Sequence, residues 1–502
     1  SLLTLNIMRN PFYLSDIESE RTFNTAVLAK IPTTLTTLNM EGTFYGSIER
    51  NIISARIPNL VNFSCGRGGG AYFHPDTRSP DGSSAFCPDM PGSVTSYQIQ
   101  SNDFRSVDNN SQPSFGSNGS YSYKQLPNLV SLNVQGNYYL TDNAHSLASA
   151  NSISTINYSS TGVAIPTGLE GKTNLSSFVS THNRNSSNIS ANRSLLTSGG
   201  SYKFAGCSSL GTLHLYATNL GAVNFPTSFS NPALSYLDLR YTSIKGGAPV
   251  PDGNQTHVIT NNTFREAVNI RYILIDSGNL GSNFPSGKNI IHPDAFLFNP
   301  ELYYIWYRSH GKTTGNITQL FSSNPKLQYV WMQSNAFTGT IPNFVANPNI
   351  HYVNLQYNQL EGTIPGFKNL NNLRYLYFQN NNLTGIGEPE SLPNLYTYQA
   401  PNNQLSGQIP DFSGCTNLRS LTLRNNLLTS YKVGAFAKLY KMNFIDLKFN
   451  NLTQTDLDNI LIDLHTNWES IKRGGVSINL KEQTVNNPNA VSYTHLTLPT
   501  KA

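Results

Sequence analysis

A spaced ladder of apolar residues recurs along this chain, and few architectures accommodate it. Its form is L-x-x-L-x-L-x-x-N-x-L, with other apolar residues standing in for Leu. The clearest copies are Leu327-Val330-Met332-Asn335-Phe337, Ile350-Val353-Leu355-Asn358-Leu360, Leu373-Leu376-Phe378-Asn381-Leu383 and Leu418-Leu421-Leu423-Asn426-Leu428. Seventeen copies start at Leu2, Leu35, Leu60, Val94, Leu129, Ile153, Leu175, Leu210, Leu234, Ile270, Leu302, Leu327, Ile350, Leu373, Leu395, Leu418 and Met442. Starts 22–25 residues apart are bare repeats, and intervals of 32–36 are the same unit carrying an insertion. Such a period predicts a solenoid in which each repeat adds one short strand and one return segment.

Residues one, four and six of each ladder point inward and stack into a continuous core, because no repeat buries its apolar face alone. The Asn at position nine turns the chain after the strand, and its amide bonds backbone groups left unpaired there. The return segments repeat as well. Asn231-Pro232, Asn299-Pro300, Asn324-Pro325 and Asn347-Pro348 fall three and two residues before a repeat start. Cys207 and Cys415 occupy the same Asn slot, which makes them small buried side chains rather than reactive thiols.

After Met442-Ile445-Leu447-Asn450-Leu452 the ladder stops. Thr455 to Leu464 reads as a capped amphipathic helix: Thr455 at the N-cap, acids in the first turn, and Leu457, Ile460, Leu461 and Leu464 on one stripe. Gly474-Gly475 leads into Val476-Ser477-Ile478-Asn479-Leu480, a closing strand. The expected organisation is a solenoid over 1–453 with insertions mainly in 1–300, a cap over 454–482 and a tail over 483–490. Val491 to Thr500 looks like one reading frame of a transposase sequencing adapter, so 491–502 is set aside as an assembly scar.

Charged residues make up 12% of the chain, about half the usual share, and Asn, Ser, Thr, Tyr, Gln and Gly take their place. That habit suits an extracellular, cell-surface or virion protein. A net charge of +5 over 502 residues gives no reason to invoke nucleic acid. No apolar run approaches the roughly 20 residues of a membrane span. Four cysteines do not make a disulfide framework. Cys65 and Cys87 flank a Gly-rich insertion and either pair across it or stay free, Cys65 at an inward ladder position. No cofactor or metal motif stands out. The triplets Gly171-Lys172-Thr173 and Gly311-Lys312-Thr313 lack the phosphate-loop glycine, with Pro166 and Trp306 at that position.

The third, fifth and seventh ladder residues alternate with the inward ones and face the concave side. From Leu234 onward the third column runs Tyr236, Tyr272, Tyr304, Tyr329, Tyr352, Tyr375. The fifth column holds Trp306, Trp331, Asn354 and Tyr377, and the seventh Arg308, Gln333, Gln356 and Gln379. Two of the three tryptophans are expected side by side in solvent. A contiguous aromatic patch edged by amides marks a contact surface. It suits carbohydrate, whose C–H face packs on a ring while its hydroxyls meet planar donors and acceptors. Stiffening of the sheet by like-aromatic pairs, or packing on another protein subunit, uses the same columns. In the first half these columns are small and polar: Ser131, Asn133 and Gln135; Thr155, Asn157 and Ser159; Ser177. Variability there lies in insertions over 66–93, 105–125 and 182–204.

One charged cluster, His214, Asp238, Arg240, Asp276 and Arg308, contains two carboxylates of the kind glycoside hydrolysis uses. Adjacent arginines hold both ionised, which suits an ion-paired rim better than a general acid.

From Leu302 to Leu464 the chain resembles leucine-rich-repeat proteins of the plant-receptor style. Gly339-Thr340-Ile341-Pro342, Gly362-Thr363-Ile364-Pro365 and Gly407-Gln408-Ile409-Pro410 match their L-x-G-x-I-P. The cap is similar to the C-terminal end of bacterial and phage arrays, and the cysteine-paired caps of plant and animal receptors are not matched. The resemblance implies an α/β-type solenoid, a horseshoe with a parallel concave sheet, a mostly irregular convex side and a C-terminal helix-plus-strand cap. It also implies a recognition module rather than an enzyme. The expected partner is a glycan or a glycosylated or protein receptor, with neither nucleic acid binding nor membrane insertion. The expected contact residues are Tyr272, Tyr304, Trp306, Arg308, Tyr329, Trp331, Gln333, Tyr352, Gln356, Tyr375, Tyr377 and Gln379.

Overall fold

The computed structural model describes residues 2–6, 30–40, 52–64, 90–98, 126–136, 147–161, 165–182, 197–198, 201–218, 226–242, 256–276, 289–308, 313–389, 391–471, 477–480, 483 and 496–497. Cys65, Cys87, the 105–125 insertion and most of the 66–93 and 182–204 insertions lie outside them. The chain forms two compact units, residues 1–245 and 246–502.

In the first unit every ladder carries a three-residue strand over its third to fifth positions. These are β1 (Thr4–Asn6), β2 (Thr37–Asn39), β3 (Asn62–Ser64), β4 (Ser96–Gln98), β5 (Ser131–Asn133), β6 (Thr155–Asn157), β7 (Ser177–Val179), β8 (Thr212–His214) and β9 (Tyr236–Asp238). Each is parallel to the next and in register: Leu5 faces Leu38, Leu132 faces Ile156, and Leu213 faces Leu237. The middle residue of β2 to β9 is buried, as the ladder requires. A short helix, α1 (Ile52–Arg56), precedes β3.

The second unit repeats the scheme through β10 (Tyr272–Asp276), β11 (Tyr304–Arg308), β12 (Tyr329–Trp331), β13 (Tyr352–Asn354), β14 (Tyr375–Tyr377), β15 (Thr397–Gln399), β16 (Ser420–Thr422), β17 (Phe444–Asp446) and β18 (Ser477–Asn479). All nine are parallel neighbours in order, Ile305 facing Val330 and Val353 facing Leu376. Leu496–Thr497 adds a short antiparallel pairing to β18.

The return side of this unit is more regular than the ladder alone implies. Thr256–Ile259, Asn289–Ile291, Thr313–Asn316 and Ala336–Thr338 form a second parallel sheet. Glu361–Ile364 pairs with Asn382–Ile386, and Ser406–Ile409 with Leu427–Tyr431. Two G-x-I-P segments lie in Glu361–Ile364 and Ser406–Ile409, and the third, from Gly339, directly follows Ala336–Thr338. Gly339 sits at φ 83°, where a Cβ would collide with the side chains of Asn316 and Thr318. Beneath them runs a stack of phenylalanines, Phe264–Phe296–Phe321–Phe344–Phe367, with successive ring centroids 5.8–6.3 Å apart.

Two sets of buried asparagines join successive repeats. At position nine, Asn358 donates to the carbonyls of Met332 (3.0 Å) and Leu355 (2.9 Å), while its oxygen accepts from the amide of Phe337 (3.1 Å). Asn381 and Asn426 repeat the arrangement. In the Asn-Pro slot, Asn347 donates to the carbonyls of Phe321 (3.0 Å) and Asn324 (2.7 Å), and Asn324 to those of Phe296 and Asn299. Cys207 takes this slot with its thiol on the Leu169 carbonyl at 3.1 Å. Burial pushes the Cys207 thiol up to about 11 and the Cys415 thiol to about 12, so both stay protonated.

Helix α2 (Gln454–Ile471) starts earlier than the sequence indicates. Its cap is Thr453, not Thr455. The Thr453 hydroxyl accepts from the Asp456 amide (3.2 Å), and Asp456 accepts in return from the Thr453 amide (2.9 Å). The acid three residues on thus decides which threonine serves. Asp456 also accepts from the Tyr431 amide at 2.9 Å, fixing the helix to the last return strand. Beyond β18, Gln483 replaces the position-nine asparagine, donating to Leu447 and Leu480 (3.1 Å each) and accepting from Leu452. The closing strand is therefore an eighteenth rung of the ladder.

Replacing Asn347 by Ala strips the donor from two buried carbonyls, each costing about 1–3 kcal/mol. Urea unfolding is expected to show a loss of about 2–5 kcal/mol for Asn347→Ala. The exposed Asn349, with one 3.3 Å bond to Pro325, is expected to cost under about 1 kcal/mol as Ala.

Candidate functional site

One-to-one register places like residues beside like. On the open face of β10 to β14 the third-position tyrosines form a row, with centroids 6.3 Å apart for Tyr272–Tyr304, 5.8 Å for Tyr304–Tyr329 and 5.8 Å for Tyr352–Tyr375. The fifth-position rings stack more tightly. Trp306 and Trp331 lie 5.3 Å apart and nearly parallel at 4°. At Asn354 the fifth column lacks a ring. Tyr352 occupies that gap from the neighbouring column, stacking on Trp331 at 4.3 Å and 10° and reaching Tyr377 at 5.4 Å.

The two tryptophans do lie side by side, half-buried against other rings rather than fully exposed. All eight rings are half-buried, and Trp331 has a ring against each face. The stacking energy of parallel rungs, together with burial, closes the ladder onto itself. Burial also raises the Tyr352 and Tyr377 hydroxyls above their ordinary range, so both remain neutral donors.

The amide column is split. Gln379 donates to Gln356, both half-buried, whereas Gln333 is buried. Asn354 is also buried, its oxygen accepting from the Gln356 amide at 3.2 Å. Arg308 is half-buried and faces Asp276 across the register of β10 and β11.

A further column belongs to this face. Position two runs Arg271, Tyr303, Gln328, His351, Arg374, Tyr396, Arg419. Tyr303 bridges Tyr272 and Tyr329 at 5.6 Å each, His351 stacks on Tyr329 at 5.9 Å, and Tyr396 meets Tyr375 at 5.6 Å. Strand alternation assigns these residues to the inward side and so hides them. The regular strand starts only at position three, and the position-two side chains remain exposed or half-buried. Reading that column down the repeats would have found them.

In the first unit, Asp238 is fully enclosed. Arg240 holds it through Nε (3.0 Å) and an Nη (2.8 Å), the Arg240 amide adds 3.0 Å, and the Tyr236 hydroxyl and His214 Nε2 lie at 3.3 and 3.4 Å. Burial alone would raise its pKa; the hydrogen bonds from His214 and Arg240 outweigh this and hold the carboxyl below its ordinary value. A carboxylate so engaged is a poor general acid. The small polar columns hydrogen-bond among themselves, as from Thr155 to Ser131 at 2.9 Å and from Gln98 to Ser131 at 3.0 Å. Lys172 is buried and donates to Ala148 (2.7 Å) and Asn151 (2.9 Å), a structural role. Gly311 and Lys312 lie outside the described residues. Among the described residues there is no cluster of metal-binding side chains and no helix long and apolar enough to cross a membrane.

A family model described as Leucine Rich Repeat matches residues 372–395, which span β14. That segment is a leucine-rich repeat, and the chain has the leucine-rich-repeat fold. Among solved structures, it is similar to one titled "Crystal structure of a TDR receptor", at 17% identity and TM-score 0.54, over 90% of this chain and 68% of that one. A second, "PEPR1-AtPEP1", gives 17% identity and TM-score 0.55 over 91% of this chain and 60% of that one. A Leptospira interrogans leucine-rich-repeat protein aligns over 94% of this chain and all of its own, at 15% identity and TM-score 0.45. No curated protein matches the sequence. At these identities the likeness establishes the leucine-rich-repeat solenoid fold.

Because the folded pKa of Asp238 lies below its ordinary value of 3.8, its contribution to stability is complete above that value and is lost as pH falls through the lowered one. The parent is therefore expected to lose stability more steeply than Asp238→Asn on acidification below pH ~4. The variant should be less stable at neutral pH. Thermal melts across pH 2–7 measure both.

Proposed function

We propose that the protein is a non-enzymatic recognition module whose second unit binds an extended partner on the open face of β10 to β16. The observation that carries this reading is the contiguous half-buried ring ladder. Its interlocked rings are held in place before any partner arrives, which removes part of the entropic cost of binding. The "TDR receptor" is by its title a receptor and shares the fold, which supports a recognition role. Low charge and an Asn/Ser/Thr/Tyr-rich surface support an extracellular or cell-surface setting.

The ring geometry bears on the partner. A pyranose needs an open ring face. Here Trp331 is covered on both faces and Tyr352 lies between Trp331 and Tyr377. Ring edges, tyrosine hydroxyls and the Gln356–Gln379 amides remain for the partner. Such groups suit a polypeptide, which supplies carbonyls, amides and small apolar side chains. A protein partner is thus favoured over a glycan.

Panning a displayed random dodecapeptide library on the protein, beside a glycan array, tests this. Selected peptides should bind the parent and lose at least about tenfold, or ~1.4 kcal/mol, on a still-folded Tyr329→Ser/Tyr375→Ser/Tyr377→Ser variant. Equal binding to parent and variant, or binding to glycans alone, would overturn the reading. Self-association of the parent, lost in the variant, would instead make the face a packing surface of a larger assembly.

A further inference from the structure

The open face of β10 to β17 carries a net positive charge. At positions two, five and seven of β10 to β17 the cations are Arg271, Arg308, Arg374, Arg419, Arg424 and Lys448. The acids there are Asp276 and Asp446. Six minus two leaves +4, against +5 for the whole chain (33 − 28). Both acids already face a cation: Asp276 is in register with Arg308, and Asp446 lies 4.0 Å from Arg424.

Arg271, Arg374 and Arg419 differ from the others. All three sit in the position-two column, along the edge of the ring ladder. Among the described residues none of them makes an ion pair. Arg271 and Arg374 are exposed. The Arg271 guanidinium lies 5.9 Å from the Tyr303 ring centre, and that of Arg419 lies 4.8 Å from Tyr396. Stacking on a tyrosine restricts a guanidinium and leaves its donor fork for a planar carboxylate. His351, between them in the column, stacks on Tyr329 and adds a ring nitrogen edge.

We propose that this arginine edge selects an acidic, extended polypeptide, with carboxylates on the arginines and the backbone along the tyrosine and glutamine edges. The inference rests on the recognition role assigned above and names the chemistry of the partner. Arg374 and Arg419 stand two rungs apart, roughly 10 Å at the usual strand spacing. An extended chain covers that in about three residues, at roughly 3.3 Å each. Acids at every third position therefore meet both arginines. Single-stranded nucleic acid and sulfated polysaccharide also carry negative charge. Bases and sugar rings use open aromatic faces, and in the Trp306–Trp331–Tyr352 stack both faces of Trp331 and one face of Trp306 are already taken.

The test is fluorescence anisotropy with a labelled twelve-residue peptide carrying Glu at every third position among Ser and Gly, its Gln counterpart, and labelled dextran sulfate. On the parent, the Glu peptide should bind at least tenfold more tightly than the Gln peptide, and binding should weaken with salt. In Arg271→Gln/Arg374→Gln/Arg419→Gln, with an unchanged melting profile, that preference should disappear. A parent that binds neither peptide overturns the acidic-partner assignment, as does a preference that survives in the arginine variant. Dextran sulfate binding without Glu-peptide binding replaces the polypeptide by a sulfated polysaccharide. Equal binding of both peptides, lost in Tyr329→Ser/Tyr375→Ser/Tyr377→Ser, removes the acidic preference and leaves the recognition face in place.

Discussion

The buried side-chain amide of asparagine is the interaction on which the rest of the second unit depends. A strand of three residues has few bonds of its own, and the return segment leaves carbonyls pointing into an apolar core. Each such carbonyl costs about 1–3 kcal/mol if left unpaired. Asn358, Asn381 and Asn426 pair the carbonyls of their own repeat and of the repeat before it, and accept an amide in return. Asn324 and Asn347, in the return segments, each pair two carbonyls of the preceding repeat. Because each amide spans two repeats, it fixes their offset as well as closing a turn.

That fixed offset produces the face. With Tyr304 opposite Tyr329 and Trp306 opposite Trp331, equivalent side chains lie one strand spacing apart. Parallel rings at that distance stack, and stacking removes their faces from solvent. The tryptophans suggest an open aromatic platform when read as a column. Packed, they form a stiff ladder that presents edges and hydroxyls. Tyr352 shows the same pressure from the other direction, since it crosses to the fifth column to cover Trp331 where Asn354 leaves room. A surface held this rigidly can present the arginine edge at constant spacing, provided the guanidinium groups are also held, as the tyrosines beneath Arg271 and Arg419 hold them.

Repeats with local rules were legible residue by residue. The inward positions, the turn asparagines, the Asn-Pro slot and its cysteine substitutes all follow from one short pattern applied repeatedly. Departures occurred where a second contact chose between equivalent candidates. Thr453 rather than Thr455 caps α2 because Asp456 stands three residues after it and also binds Tyr431. Gln483 substitutes for asparagine because the last rung needs the same bonds, and its longer side chain reaches them from outside the expected cap.

The sequence by itself determined the repeat, its strand positions and the identity of the residues in each outward column, because a period of about two dozen residues leaves a single way to bury the ladder. Tertiary structure alone decided what those columns do to one another. Whether two rings stack or stand apart, whether Gln333 is covered while Gln356 is not, and whether a position-two side chain turns outward at the start of a strand all depend on separations between repeats. Those separations are set by the buried amides across the core, and no single repeat contains them.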